Sequence, residues 1–413
     1  MPSRRSLLAA LGCAAALAAL ASTTAPSEAA PQVHEPPPEW VAPGVRVSVR
    51  AVPDVSGPLR LEWRAPDGWR VAARTLARRG RVTELSFTPR SVGRQHLRLV
   101  GADPDGRIGG PGTPPAQGTW TALDPLTVRP VSVAVVGDVS PGSAAGTVRA
   151  NGPDWHWAMV GPWLRPRDLA VMNWENADAP AGPPWPDKAF NFLAPQGSIA
   201  AAARSGGIDA ASLANNHALD FGRSALVRTA RTMRANGITP FGGGANLNEA
   251  LAPAVLEAGG LRIAFVGFNA IPPFDFWASP SRVGNAPATP ATVRRAVRAA
   301  RARADLVIPY FHWGIELDRR PNAAQRALAD AAYAAGADIV LGSHPHVLQP
   351  IERRGRRLTA WSLGNFLFSP GSIAGTYTGA LQLDLDAHGV VAHRMTPVRI
   401  VNTRPVFTAR PPR

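Results

Sequence analysis

The chain has 413 residues, 45% hydrophobic and 18% charged, enough to bury one large core beside a smaller second unit. A formal net charge of +15 favours an anionic partner such as a cell-wall polymer, a membrane surface or nucleic acid. The cations are almost all arginine and are scattered, with Lys188 the only lysine and short clusters such as Arg353-Arg354 with Arg356-Arg357. No nucleic-acid-binding motif accompanies them, so specific nucleic-acid binding is not expected. The single cysteine, Cys13, excludes a disulfide within the chain and a metal held on several thiolates.

Residues 1–30 read as a twin-arginine-type signal peptide. Ser3-Arg4-Arg5-Ser6-Leu7-Leu8 resembles the twin-arginine motif, and the Ala/Leu run to Ala21 is too short and Ala-rich for a membrane span. Small-residue cleavage sites occur at Ala19-Leu20-Ala21 and Ser27-Glu28-Ala29. Export to the periplasm or cell surface follows as the expectation. Residues 31–44, with Glu35-Pro36-Pro37-Pro38, read as a stiff linker. Over 45–130, segments such as Val45–Arg50, Leu59–Trp63 and Leu97–Val100 alternate apolar with charged side chains between turn signals, which predicts a small antiparallel β-sandwich with one wet face. That module offers no cluster of catalytic residue types and reads as a wall- or glycan-facing accessory.

From residue 131 to 402 the pattern becomes strand then helix, repeated. Val131–Val136, Leu169–Met172, Ile208–Leu213 and Leu306–Phe311 are apolar runs suited to buried strands, and Arg223–Asn236, Ala291–Ala304 and Ala323–Ala335 read as amphipathic helices. Ala254–Glu257 and Arg262–Val266 read as a hairpin over Gly259-Gly260. The fold class is therefore α/β, a layered domain with mixed sheets flanked by helices, and residues 403–413 read as a tail. Trp155, Trp157, Trp163, Trp174 and Trp185 either line a groove for a sugar or polymer chain or cover the domain edge as satellite core. Gly242-Gly243-Gly244 lacks the pattern of a phosphate loop and reads as a tight turn.

The most informative stretch is Ala337–His346, an apolar strand that stops at Gly342 and delivers His344 and His346 on either side of Pro345. Ligands bind beyond the carboxyl ends of strands in α/β sheets, and imidazole is the commonest metal ligand. Other strand ends offer Asp138, Glu175, Asn216 with His217, and His312. Each alone also reads as a turn or capping residue. Together they outnumber the three or four ligands of one ion and suit two adjacent divalent metals, with Glu175 bridging. Zinc, manganese and iron are equally compatible with such a set.

These blocks resemble the CapA capsule-synthesis family, linked to poly-γ-glutamate, within the calcineurin-like metallophosphatase superfamily. The resemblance rests on Gly137-Asp138, Asn173-Trp174-Glu175, Ala214–Gly222, His312–Glu316, Gly342–His346 and Ser362-Leu363-Gly364-Asn365-Phe366, and spans about residues 131–401. It implies a metallophosphatase-like domain in which Asp138 and His346 hold a first metal, Glu175 bridges, and Asn216, His312 and His344 hold a second. It further implies that His217 is a general acid, oriented by Asp178 or, as a rival, Asp220. Glu316 reads either as a partner behind His312 or as a surface glutamate. Ser140 stands where many metallophosphatases carry a histidine, so the first metal site lacks one imidazole. The resemblance implies an exported hydrolase of a phosphoester or an amide in an anionic polymer, working beside cell-envelope or membrane-associated capsule machinery. The alternative is a non-catalytic polyanion-binding component of capsule assembly.

Overall fold

The computed structural model describes residues 30–110, 115, 119–179 and 182–408. The signal peptide expected over 1–30 lies, but for its last residue, outside the described residues.

Two compact units divide the described chain: 30–36, 49–85 and 97–123 in one, 37–48, 86–96 and 124–408 in the other. In the first, Gly57–Ala65 and Gly68–Ala77 form an antiparallel hairpin over the predicted Ala65–Gly68 turn, and residues 60–63 pair with 97–100. The alternation predicted one wet face, yet three of its charged positions are buried: Glu62 is fully covered and lies between Arg60 (2.9 Å) and Arg98 (2.8 Å). The Arg98 guanidinium stacks 4.1 Å over Trp69, so mutual pairing and an aromatic cover replace water. Residues 31–44, expected as a linker, carry two short strands. Gln32–Glu35 pairs with residues 50–52 and ends where the prolines remove the backbone donors.

The second unit contains two sheets packed face to face. The first is built on β1 (Val131–Val139), β2 (Leu169–Trp174), β3 (Ala210–Ser212), and, after helix α1 (Arg223–Ala235), β4 (Thr239–Phe241), four parallel neighbours in the order β4-β3-β2-β1. The hairpin of β5 (Ala254–Ala258) and β6 (Leu261–Asn269) turns over Gly259 and Gly260, both with positive φ as a tight two-residue turn requires. With α2 (Pro290–Arg301), β7 (Leu306–His312), α3 (Ala323–Ala334), β8 (Ile339–Ser343), β9 (Ile351–Arg354) and β10 (Arg357–Ala360), the second sheet runs β5-β6-β7-β8-β10-β9. The chain then returns to the first sheet: β11 (Asn365–Leu367) pairs parallel with β1, and β12 (Tyr377–Asp386), β13 (Gly389–Val401) and β14 (Arg404–Phe407) extend it antiparallel beyond β1.

Strands β1, β2, β7 and β8 are buried on both faces, which is why they read as nearly continuous apolar runs. Val133, Val135 and Val171 meet Ile263, Phe265, Ile308 and Leu341 between the sheets. Leu226, Ala230 and Met233 of α1 cover the outside of the first sheet. Val293, Ala296, Val297 and Ala300, at helical spacing on α2, cover the outside of the second. Thr289 and Asn322 cap α2 and α3 through reciprocal bonds with Thr292 and Gln325.

One expectation needs correction. Residues 404–407, placed in a tail, form edge strand β14, reached through Asn402 and Thr403, both at positive φ. Asn-Thr is not a pair whose side chains announce such a turn. Of the tryptophans, Trp157 and Trp174 are fully buried and Trp163 and Trp185 pack on the same core, so the satellite-core reading holds for these four.

His156 is buried with one ring nitrogen unpartnered and the other 3.0 Å from Thr403 Oγ1. Burial, helped by Arg404, lowers its pKa from 6.5 to about 4. The unfolded chain therefore takes up a proton between pH 6.5 and 4 that the folded chain refuses, and stability falls as pH drops through that window. His156→Gln should remove about 3 kcal/mol of that fall, read as the difference between wild-type and variant urea midpoints at about pH 7.5 and 4.5.

Candidate metal centre

The site forms where parallel strands of both sheets end. Asp138 closes β1, Asn173 and Glu175 close β2, Asn215–Asp220 follow β3, His312 ends β7, and His344 and His346 follow β8. Two glycines make the convergence possible. A Cβ on Gly137 would fall on the carbonyl oxygen of Gly364, and one on Gly342 on that of Trp361. His344 and His346 themselves sit at φ +94° and +57°, conformations costly for side-chain-bearing residues. They are held there by His344 N donating to Asp138 Oδ2 (3.1 Å), Leu317 N to Pro345 O (2.8 Å) and Asn365 Nδ2 to His346 O (3.3 Å).

Three imidazoles share one arrangement. His312 Nδ1 lies 3.2 Å from Ser343 Oγ and 3.3 Å from Asn173 Nδ2. His346 Nδ1 lies 2.8 Å from Asn365 Oδ1, and His217 Nδ1 2.7 Å from Asp220 Oδ2. Each turns its Nε2 toward the same atom, Glu175 Oε1, at 3.6 Å for His312, 3.8 Å for His217 and 4.0 Å for His346. Both carboxylate oxygens of Glu175 are buried without a hydrogen-bond donor. Two ligands of one ion at bond lengths of about 2.0–2.2 Å stand roughly 3–4 Å apart, so the spacing suits cations between them. Asn216 Oδ1 is 2.8 Å from His312 Nε2, and His344 Nδ1 is 3.2 Å from it. Asp138, Glu175 and His346, and separately Glu316, His344 and His346, bring ligand atoms within 4.8 Å of one another.

Burial dominates the electrostatics of the cluster. Burial, then the neighbouring Asp138, pushes the Glu175 carboxyl well above its usual range. Burial and the imidazole of His344 hold His312 well below its usual value, and burial with His346 does the same to His344. At His346 burial is outweighed by Glu175 and Asp138, and its pKa rises to about 9.

The family described as Bacterial capsule synthesis protein PGA_cap matches residues 132–370, more than half of the chain. The chain belongs to that family. The PGA biosynthesis protein CapA of Bacillus subtilis (strain 168) is 31% identical over 278 residues, covering 67% of this chain and 73% of that protein. The capsule biosynthesis protein CapA of Bacillus anthracis is 28% identical over 283 residues, covering 67% and 69%. Among solved structures, a 5'-nucleotidase precursor from Thermus thermophilus is a distant likeness, 13% identical with a TM-score of 0.39 over 67% of this chain and 54% of that one.

Within this PGA_cap chain, Asp138, Glu175, Asn216, His217, His312, His344 and His346 all converge. Asp220 lies against His217, whereas Asp178, given that place by the resemblance, does not. Its amide and carboxylate are taken by Thr229 and Thr232 of α1 (2.9 and 2.7 Å), because the loop after Glu175 turns away toward that helix. Of the two readings of Glu316 the surface one holds: it is exposed, and it stands near His344 and His346. Ser140 is spent on the loop, its Oγ 3.2 Å from Asn176 Oδ1. Asn173, Lys188 and Asn365 were not singled out as functional. Asn173 and Asn365 lay inside the quoted motifs, and nothing local marks Lys188 except that it is the only lysine.

Glu175→Gln removes the buried charge while keeping the shape. The metal-free variant should melt higher than wild type at about pH 7.5, about 1–2 °C for each kcal/mol of relieved desolvation, and should lose the rise in Tm that Mn²⁺ gives wild type. A lower metal-free Tm with an undiminished Mn²⁺ response would contradict the assignment.

Proposed function

We propose that this chain is an exported CapA-like hydrolase that uses two divalent ions to cleave a phosphoester or an amide in the building of an anionic capsule or cell-envelope polymer of the poly-γ-glutamate type. The observation that carries the reading is the Glu175 carboxylate, buried without a donor and faced by three imidazole Nε2 atoms. Family membership supports the polymer setting, the twin-arginine-like N-terminus supports export, and the +15 charge suits a polyanion.

Asp138, Glu175 and His346 would hold one ion and Asn216, His312 and His344 the other, with Glu175 shared. The nitrogen and oxygen donors fit zinc, manganese or iron. When bound, such ions lower the pKa of water and neutralise charge that develops on the substrate. The protein's own part is to orient and to move a proton. Ser343, Asn365 and Asp220 fix the three rings, and Phe192 stacks on His217 at 4.2 Å, so the ring keeps one face. Protonated on both nitrogens, the His217 ring would give the Nε2 proton to the departing oxygen or nitrogen and keep its Nδ1 hydrogen on Asp220.

The metal-loaded full chain is tested on an aryl phosphoester and on poly-γ-glutamate, following phosphate or glutamate release. His217→Ala should lower kcat about 10²–10⁴-fold with bound metal retained, and His344→Ala should lose both. Wild type with both ions bound, no turnover, and polymer affinity that follows the metal ligands would instead establish the non-catalytic polyanion binder.

A further inference from the structure

Every other side-chain cation among the 44 lysines and arginines is an arginine, and the one lysine is inside this site. Lys188 is largely buried, and its Nζ donates to the backbone carbonyl of Asn216 at 2.5 Å and to Asp220 Oδ1, and lies 2.8 Å from His217 Nδ1. His217 Nδ1 gives its own hydrogen to Asp220 Oδ2, so two of the ammonium's three hydrogens are taken, by the Asn216 carbonyl and by Asp220 Oδ1. Both acceptors belong to the protein's own site, which points to a tie between them rather than to a clamp on a substrate anion. The Phe276 ring, 5.6 Å away, packs beside it.

Its contacts instead join two functions that the chain must keep in register. Asn216 presents Oδ1 to the ring of His312, and the next residue, His217, presents Nε2 to Glu175. Asp220 is pinned from both sides: Oδ1 by Lys188, Oδ2 by His217 and by the amide of Phe192 (2.7 Å). We propose that Lys188 is a positioning residue that ties the Asn216 carbonyl directly, and the His217 ring through the Asp220 carboxylate, to one nitrogen, and so sets the metal-facing oxygen of Asn216 and the proton-donating edge of His217 together. The inference rests on the roles given above to Asn216 and His217. Arginine is a poor substitute, because its rigid flat fork spreads its donors over a plane and does not gather them at one point as the ammonium does.

The test uses the full chain with Lys188→Met, Lys188→Arg, and Lys188→Cys alkylated with bromoethylamine, which returns an ammonium at nearly the same reach. Mn²⁺ affinity is measured by calorimetry, kcat and KM on the aryl phosphoester, and Tm without metal. Lys188→Met and Lys188→Arg should bind Mn²⁺ about 10–100-fold more weakly and lose at least about 10-fold in kcat with KM little changed. The alkylated Lys188→Cys protein should recover most of both. Lys188→Gln replaces Lys188→Met if the latter does not fold. Wild-type Mn²⁺ affinity and kcat in Lys188→Arg, or in the uncharged variant, would overturn the inference. If wild type turns over no substrate, the hydrolase reading fails, and Mn²⁺ affinity alone decides: weakened and restored supports Lys188, unchanged overturns it.

Discussion

Two carboxylates buried at the ends of neighbouring parallel strands govern this structure. Asp138 is at least partnered, accepting from Asn173 Nδ2 at 2.8 Å and from the amide of His344. Glu175 has no donor at all. A buried carboxylate in that condition is costly unless it neutralises or meets a cation. The surrounding histidines answer that need, and much of the local architecture exists to keep them in place: glycines that admit a neighbouring carbonyl, strained backbone at His344 and His346, and a polar side chain behind each Nδ1.

The fold serves this by bringing two sheets' strand ends to one edge. Parallel strands buried on both faces cannot slip without exposing apolar residues, so their termini are fixed in three dimensions. Donors that belong to the first sheet (Asp138, Glu175) and to the second (His312, His344) then meet across the shared core. The ring positions are set by partners rather than by the backbone alone, which is why Ser343, Asn365 and Asp220 matter as much as the rings they touch.

Much of this was legible in the sequence. The apolar runs at Val131, Leu169, Leu306 and Ile339 read as buried strands, α2 showed its buried face at helical spacing, and each candidate ligand stood where its strand stopped. What the sequence hid was tertiary. Asp178 and Asp220 are both three residues from a site residue, and spacing cannot say which loop curls back. Lys188 lies in a stretch without periodicity, 28 residues from the carbonyl it holds. Glu62 and the arginines beside it carry the alternation of a wet face, but their charges satisfy one another and a tryptophan covers them. The strand after Asn402 was missed because its turn is made by backbone conformation, not by glycine.

Anomalous diffraction from crystals of the protein grown with Mn²⁺ tests the central claim most directly. The account predicts two peaks, one beside Asp138 and His346 and one beside Asn216, His312 and His344, each within bonding distance of Glu175. A well-ordered crystal with no ion near Glu175, and that carboxyl protonated, would contradict it.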